Sequence, residues 1–272
     1  MDEKGHTSGH LMLITPERVF YAGLLGRPRE RCPGAFHIYV AIRDGLWLST
    51  ADGCETYGEL VVTAPNLRHT IASDYRSAIC VAIEPESVPA GTLDALAKRL
   101  LGEERELFAE RIRAAYCELR DRARGDDITT NIFDRMCFGD SLPARSLDPR
   151  VAKAIVQIDC FSGEPVTAAS CAAEAGLSAS RFLHLFKQET GISFRSFRAW
   201  KRARHLLHFA NQYLNLAHLA QDIGYPDSTH FSHSIRRFYG LKPRAIFSGS
   251  RDLAIYHAGR IEAGSGLTQE AT

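Results

Sequence analysis

The chain of 272 residues contains no apolar run long enough to span a bilayer, and its N-terminus shows no secretory signal pattern. Its seven cysteines are odd in number and scattered, and no Cys-x-x-Cys pair occurs. A membrane protein, a disulfide-rich secreted domain and a structural zinc site are therefore not expected. We expect a cytoplasmic protein whose 45% hydrophobic composition suffices for two buried cores.

The net charge of the whole chain is only +1, but the charge is unevenly distributed. Residues 148–250 contain 13 Lys and Arg against 7 Asp and Glu, an excess of +6, whereas residues 1–147 contain 18 against 22. A local basic excess is typical of phosphate binding. It is also ordinary for a solvated helical domain, so charge alone does not decide between these interpretations.

Two copies of a helix-turn-helix pattern lie within the basic segment. In each copy an alanine stands four positions before a glycine, Ala172 before Gly176 and Ala220 before Gly224. The alanine lets two helices approach closely, and the glycine adopts a turn conformation that a side chain would resist. Apolar residues four positions apart then hold each second helix to the core, which leaves its other face free to enter a DNA major groove. These apolar pairs are Phe182 with Phe186 and Phe231 with Ile235.

The first third of the chain is predicted to form short strands, followed by helices. The expected strands span residues 36–42, 46–50, 58–63 and 77–83. Closely spaced strands of this length are typical of a small antiparallel barrel or sandwich. From Thr92 the apolar spacing becomes helical, and Pro143 and Pro149 mark a linker, which places a domain boundary near Ser146.

Two of the predicted helices have faces that need a partner. One, from about residue 103 to 124, has an apolar stripe from Leu107 to Leu119 that either packs on the strands or forms a contact between two copies of the chain. The other spans residues 194–209 and joins the two motifs. We expect the basic side chains of this joining helix to face solvent: Arg195, Arg198, Lys201, Arg202 and Arg204.

The tandem motifs resemble the DNA-binding domain of the AraC/XylS family of bacterial transcription regulators. The resemblance rests on Gly176-Leu177-Ser178, Phe182 to Lys187 and Gly191, and on Ile223-Gly224-Tyr225, His230-Phe231-Ser232, Arg236 and Gly240-Leu241-Lys242-Pro243. The segment Pro65-Asn66-Leu67-Arg68-His69 is similar, less specifically, to a Pro-x-x-x-His turn in the cupin-like sensing domain of that family.

This resemblance implies an α+β protein with an N-terminal cupin-like β-barrel, following helices, and a C-terminal all-α domain of seven helices with two helix-turn-helix motifs. The expected organisation is a cupin-like sensing domain (1–91), a helical dimerisation segment (92–138), a linker (139–147), an AraC-type DNA-binding domain (148–250) and a mobile tail (251–272). The two recognition helices are expected to enter successive major-groove segments on one side of the DNA.

The outward positions of the recognition helices are the expected DNA contacts. They are Ser180, Arg181, Leu183, His184 and Lys187 in the first helix, and Ser228, Thr229, Ser232, His233 and Arg236 in the second. Hydroxyl and imidazole groups suit base edges, and Leu183 suits a thymine methyl group. Arg181, Lys187 and Arg236 suit phosphates, which position the protein without reading sequence.

The sequence departs from the family at His184 and His233, where arginine is usual. A neutral imidazole cannot make the bidentate contact of a guanidinium with guanine, so the base preference is not transferable. We expect DNA binding to weaken above the pH at which these histidines titrate.

An effector pocket in the N-terminal domain is expected to include His37, Tyr39, Trp47 and His69, chosen by strand position and polarity. No His-x-His pair precedes His69, and His37 has no partner at ligand spacing, so neither a metal nor another cofactor is expected.

Three functions remain open at this stage. The first is a sequence-specific regulator, an activator by family precedent, that binds promoter DNA, contacts RNA polymerase, responds to a small-molecule effector and forms a homodimer. The second is a cupin-type metal-dependent enzyme with a DNA-binding appendage. The third is a regulator without a small-molecule effector. We expect the first of these, and no enzymatic activity.

Overall fold

The computed structural model describes residues 9–121, 128–161, 166–249 and 252–257. Within these ranges the N-terminal half is rich in β-structure and the C-terminal half is helical, as predicted. None of the helices in these ranges is both long and apolar enough to cross a membrane.

The strands of the described residues form two sheets. Their bounds are β1 (Leu11–Ile14), β2 (Arg18–Leu24), β3 (Phe36–Ala41), β4 (Leu46–Thr50), β5 (Glu55–Gly58), β6 (Leu60–Thr63), β7 (His69–Ser73), β8 (Ser77–Ile83) and β9 (Ala254–His257). The larger sheet has the order β6-β3-β8-β2-β1-β9, and the smaller has the order β5-β4-β7. Since no ladder joins these two sheets within the described ranges, the predicted cupin-like barrel is not closed.

The larger sheet is buried on both faces, which explains why β3 is buried at all six positions. One face carries Phe20, Ile38 and Val81 and packs against helices α1 (Thr92–Leu101), α2 (Arg105–Asp121) and α3 (Thr130–Phe138). Phe108, Ile112, Ala115 and Leu119 of α2 belong to this core. Most of the apolar stripe of α2 therefore packs on the strands, which is the first of the two alternatives raised by its sequence, whereas Leu107 at its start is 50% exposed.

The C-terminal half is a series of short helices. They are α4 (Pro149–Cys160), α5 (Ala168–Glu174), α6 (Ala179–Thr190), α7 (Phe194–His205), α8 (Leu216–Asp222), α9 (Ser228–Tyr239) and α10 (Pro243–Gly249), with a 3-10 turn at Leu206–Phe209. Helices α5 and α6 form the first predicted motif, and α8 and α9 form the second. Helix α7 joins them, as the sequence predicts.

The second face of the larger sheet contacts the C-terminal half. Met12, Val19 and Ala82 of the sheet share a core with Trp200 of α7 and Phe238 of α9. The rings of Trp200 and Phe238 meet edge to face, with their centroids 5.4 Å apart. The joining helix is therefore packed against the N-terminal half.

This contact corrects the expectation that every basic residue of α7 faces solvent. Lys201 is only 3% exposed, and its Nζ lies 2.6 Å from Glu86 Oε1 and 3.5 Å from Glu84 Oε2. Arg204 is also buried, with Nε 2.9 Å from Glu84 Oε1. Burial by itself lowers the pKa of Lys201, but the surrounding carboxylates outweigh burial and raise it. Lys201 Nζ also lies 3.4 Å from Asp159 Oδ2 of α4, so its charge is compensated by carboxylates from both halves of the chain, whereas Arg204 pairs with Glu84 after β8.

The predicted mobile tail is also corrected in part. Residues 254–257 form strand β9, which pairs in parallel with β1 and extends the larger sheet. Leu253 is buried beside this strand, and its carbonyl accepts a hydrogen bond from Asn211 Nδ2 at 3.1 Å. Backbone pairing and burial of Leu253 explain the order of this segment. The rest of the predicted tail, residues 258–272, lies outside the described residues.

Candidate nucleic-acid interface and interdomain cavity

The two helix-turn-helix turns have the same backbone geometry. Gly176 and Gly224 have φ angles of +64° and +82°. In the first turn the Leu177 N–H donates to the Ala172 carbonyl at 2.9 Å, and in the second the Tyr225 N–H donates to the Ala220 carbonyl at 2.8 Å. An added Cβ would meet nothing within 4 Å at either glycine, so the positive φ rather than the available space requires glycine.

The first recognition helix, α6, begins at a cap formed by Ser178, whose side chain accepts a hydrogen bond from the Arg181 N–H. Phe182 and Phe186 are buried and form edge-to-face contacts with Phe194. The opposite face is exposed. It carries all the residues predicted for this helix, namely Ser180, Arg181, Leu183, His184 and Lys187.

The second recognition helix, α9, is held in the same way. Phe231 and Ile235 are buried, and the Phe231 ring meets Tyr225 edge to face. Of the residues predicted for this helix, Ser228, Thr229, His233 and Arg236 are exposed and Ser232 is half-buried. Both polar faces therefore point away from the protein core.

Sequence reasoning missed the cap of α9 and some neighbours of the predicted contacts. The Asp227 carboxylate accepts hydrogen bonds from the Thr229 and His230 N–H groups, both at 2.8 Å, and these bonds help to hold its pKa below the ordinary value. An Asp directly before Ser-Thr-His was the available signal for this cap. Gln188 and Arg237 are also exposed, next to Lys187 and Arg236.

The exposed cations of these helices have no acidic partner in the described part of the chain. None of Arg181, Lys187 and Arg236 forms an ion pair there. Arg202 of α7 instead has a structural contact, because its Nη1 donates to the Gly224 carbonyl at 3.0 Å. The charge of the three exposed cations is therefore available to an anionic partner.

Three of the four residues predicted for an effector pocket lie together inside the protein. The rings of His37 and Tyr39 stack with centroids 5.7 Å apart, and the Tyr39 hydroxyl lies 3.0 Å from His69 Nε2. His69 Nδ1 lies 2.9 Å from the Leu67 carbonyl. Burial lowers the pKa of both His37 and His69 to about 4, so both rings are neutral at pH 7. With Nδ1 donating to Leu67, His69 Nε2 accepts the Tyr39 proton.

Trp47, the fourth predicted pocket residue, lies elsewhere. Leu46 and Leu48 of β4 point inward, so the alternation of the strand directs Trp47 outward. Its side chain is 48% exposed and packs against Tyr57, with ring centroids 4.6 Å apart. Trp47 is therefore not part of the buried group formed by His37, Tyr39 and His69.

A cavity of about 240 Å³ lies where the larger sheet meets the C-terminal half. His37 and Tyr39 of β3 line one wall, and Trp200 of α7 and Phe238 of α9 line the other. Arg31, from the segment before β3, also lines it. In the described ranges, no three His, Cys, Asp or Glu side chains lie close enough together to hold a metal ion.

Comparison with known proteins agrees with this geometry. Residues 171–248 match a protein family described as a helix-turn-helix domain. The chain is 27% identical over 159 residues to the HTH-type transcriptional activator RhaS of Escherichia fergusonii. That match covers 54% of this chain and 56% of RhaS, so it spans little more than half of that relative.

Solved structures of ToxT from Vibrio cholerae share the fold over a larger part of the chain. ToxT from strain O395 is 11% identical, with a TM-score of 0.53, covering 85% of this chain and 96% of that one. A second ToxT structure is 12% identical, with a TM-score of 0.50, covering 85% of this chain and 97% of that one. The fold of a sheet-rich half followed by a helical half is therefore shared with ToxT.

Residues 171–248 are thus a helix-turn-helix domain. Its resemblance to the AraC/XylS family, first seen in the tandem glycine motifs, is confirmed by the match over residues 171–248 and by the similarity to RhaS.

Proposed function

We propose that the chain is a sequence-specific DNA-binding transcriptional regulator. The observation that carries this proposal is the pair of equivalent turns at Gly176 and Gly224, each leading into a helix with a buried apolar side and an exposed polar side. A helix of this kind fits the major groove of DNA. We further propose that α6 and α9 occupy successive major-groove segments on one side of the duplex.

The exposed residues divide into two chemical groups. Ser180, His184 and His233 offer hydrogen bonds to base edges, and the exposed Leu183 suits a thymine methyl group. Ser228, Thr229 and Ser232 add hydroxyl groups to the second helix. Arg181, Lys187 and Arg236 supply charge for phosphates, which determines affinity and position rather than sequence.

Selection of bound sites from random double-stranded DNA tests this function. Purified full-length protein should enrich one sequence pattern, and the enriched duplex should bind more tightly than a shuffled duplex in a gel-shift assay. The control is a protein with Ser180, His184 and His233 all changed to Ala, which keeps the cations and the core. Equal binding to the selected and shuffled duplexes would overturn the proposal.

The N-terminal half is proposed to control DNA binding. We propose the domain organisation expected from the sequence, with a cupin-like sensing domain up to residue 91, a helical segment to residue 138, a linker over 139–147 and a seven-helix DNA-binding domain over 148–250. The contact between Trp200 and the sheet supports this control, because α7 lies between the two motifs. A change at the contact would alter the relative placement of the motifs.

We propose that the protein acts as an activator in the cytoplasm, that it contacts RNA polymerase, and that it works as a homodimer. RhaS is a transcriptional activator, which supports the first of these statements. Leu101 and Leu107 are exposed on the helical layer and offer an apolar contact for self-association. Sedimentation of the purified protein over a range of concentrations tests the homodimer.

A cupin-type enzyme is not favoured by the geometry of His69. Its Nδ1 donates to the Leu67 carbonyl and its Nε2 accepts from Tyr39, so both ring nitrogens are already used. A ligand histidine needs one nitrogen with a free lone pair. We therefore propose that the N-terminal domain senses rather than catalyses.

A further inference from the structure

The end of the second recognition helix contacts a segment of the N-terminal half. This segment, residues 25–35, connects β2 to β3 and is called here the β2–β3 segment. Its Cys32 N–H donates to the carbonyl of Arg237 in α9 at 2.7 Å. A Cβ added at Gly240, where α9 ends, would lie 3.4 Å from the Cβ of Arg29. The two halves of the chain therefore meet beside the recognition helix as well as at Trp200.

This contact brings exposed cations of the N-terminal half to the end of α9. Arg27 and Arg29 of the β2–β3 segment are both exposed. The side chain of Arg29 begins beside Gly240, and Arg27 follows Gly26, where an added Cβ would lie 2.7 Å from Leu241 Cδ2. These two arginines and the exposed cations on either side of Gly240 are called the composite basic surface. Its members are Arg27, Arg29, Arg236, Arg237, Lys242 and Arg244.

Acidic side chains do not neutralise the composite basic surface. None of its members forms an ion pair in the ranges that the structure describes. Glu30 is the acidic residue of the β2–β3 segment, and its Oε1 already pairs with Arg68 Nη1 at 3.0 Å. Cations gathered on one surface without counter-charges attract a polyanion and raise its local concentration.

The position of this surface favours DNA as the polyanion. Arg236 belongs both to the composite basic surface and to the polar face of α9 that is proposed to enter the major groove. Gly240 follows Arg236 by four positions, which is about one helical turn of 5.4 Å. Cations at the end of a recognition helix suit the phosphates that border the groove, because base edges lie deeper inside it.

We propose that Arg27 and Arg29, which belong to the N-terminal half, bind backbone phosphates of the duplex beside the second recognition helix. This proposal rests on the proposed function in DNA binding. It extends the DNA interface beyond the helix-turn-helix domain, and it requires the N-terminal half to stay on α9 while DNA is bound. The two arginines then contribute to affinity and not to base preference.

The salt dependence of binding to the selected duplex tests the contact in the full-length protein. Changing Arg27 and Arg29 together to Gln should lower the slope of log affinity against log salt by about two and weaken binding roughly tenfold at low salt. The base preference should stay the same. The matched control changes Arg43 and Lys98 to Gln, which removes two exposed cations of the N-terminal half elsewhere. Arg43 lies beyond the far end of β3, and Lys98 lies on α1, which packs on the opposite face of the larger sheet.

A conservative variant separates charge from a structural effect. R27K/R29K keeps both charges and should keep the salt slope of the original protein. Because both arginines are exposed, R27Q/R29Q and R27K/R29K should melt at the temperature of the original protein. If R27K/R29K lost the slope to the same extent as R27Q/R29Q, charge would not be the cause and the proposal would be overturned.

Uncharged methylphosphonate linkages locate the contact on the DNA. They replace the phosphates on each flank of the selected site in turn. On one flank the replacement should weaken binding of the original protein but add little to the loss in R27Q/R29Q, whereas on the other flank it should weaken both proteins alike. The flank that distinguishes the proteins should adjoin the base position whose preference changes in H233A. Equal losses in the two proteins on both flanks would contradict the proposal.

The same measurements separate this proposal from the proposed function. If the original protein prefers the selected duplex but R27Q/R29Q and R43Q/K98Q have the same salt slope, the contact by the N-terminal half fails and the function in DNA binding stands. If the original protein binds selected and shuffled duplexes equally, the proposed function fails and this proposal fails with it.

Discussion

Two glycines that end recognition helices differ in what surrounds them. Gly191 and Gly240 both have a positive φ, +77° and +68°, and both donate to a carbonyl of the preceding turn at 2.9 Å. An added Cβ at Gly191 would enter open space, whereas at Gly240 it would lie 2.9 Å from the Arg29 carbonyl oxygen. Gly240 therefore permits a close approach between α9 and the segment before β3.

This difference predicts unequal costs for the same substitution. Gly191→Ala should lower the free energy of unfolding by about 1 kcal/mol through backbone strain alone. Gly240→Ala should lose about 1–3 kcal/mol more, because the backbone at Arg29 must move. Urea denaturation of the two variants measures both losses. Equal values would show that the backbone at Arg29 moves away from the added Cβ without loss of stability.

The buried histidines predict a dependence of stability on pH. His37 and His69 titrate near pH 6.5 in the unfolded chain, but burial lowers the pKa of each to about 4 in the folded chain. As the pH falls from about 6.5 to about 4, these histidines become protonated in the unfolded chain but stay neutral in the folded chain. The stability should therefore fall below about pH 6.5, by at most about 3 kcal/mol for each histidine, and it should be insensitive to these groups above that pH.

His37→Phe isolates the contribution of one histidine. The variant keeps an aromatic ring beside Tyr39 but cannot take up a proton in either state. Its melting temperature should fall less than that of the original protein between about pH 7.5 and about pH 5. Parallel decreases in the two proteins would show that His37 does not cause the pH dependence.

At the scale of elements, the helix-turn-helix motifs could be predicted almost completely from the sequence. Their geometry depends on local signals, namely an alanine, a glycine, a capping side chain and apolar residues four positions apart. Strands β4 and β8 were predicted with their observed bounds, because turn residues and alternation mark them. Strand β1 was not predicted, since Leu11–Ile14 is buried at every position and shows no alternation.

Substitutions at exposed residues of the recognition helices should change DNA binding in two different ways. Ser180→Ala or His233→Ala should change the preference at one base position by roughly 1–3 kcal/mol, because a hydrogen bond to a base edge is lost. Lys187→Ala should weaken binding to all sequences alike and lower the slope of log affinity against log salt by about one. Binding to the selected duplex and its single-base variants at several salt concentrations measures both effects. A change of base preference in K187A would contradict this division of roles.

At the scale of the whole molecule, the contact between the two halves could not be predicted from the sequence. Charged residues usually mark the solvent-facing side of a helix, so the sequence predicts that Lys201 is exposed. Its partners Glu84 and Glu86 lie more than a hundred positions earlier in the chain, where no local signal connects them to α7.

We expect the buried cluster around Lys201 to contribute to the contact between the two halves. Lys201→Met should cost about 3–5 kcal/mol, because Glu86 is left buried without its cation, whereas Glu84 keeps Arg204 and the hydrogen bond from Trp200 Nε1. Lys153→Met is the control. Lys153 pairs with Glu174 at 2.9 Å on the surface, so this variant should lose less than about 1 kcal/mol of stability.

If the cluster holds the halves together, K201M should also increase the rate of proteolytic cleavage within residues 139–147, under conditions in which K153M does not. Faster cleavage and lower stability together would show that the joining helix is fixed by the N-terminal half. Loss of stability without faster cleavage would show that the cluster stabilises one half rather than the contact between the halves. The proposed control of the two motifs by the N-terminal half would then depend on the Trp200 contact alone.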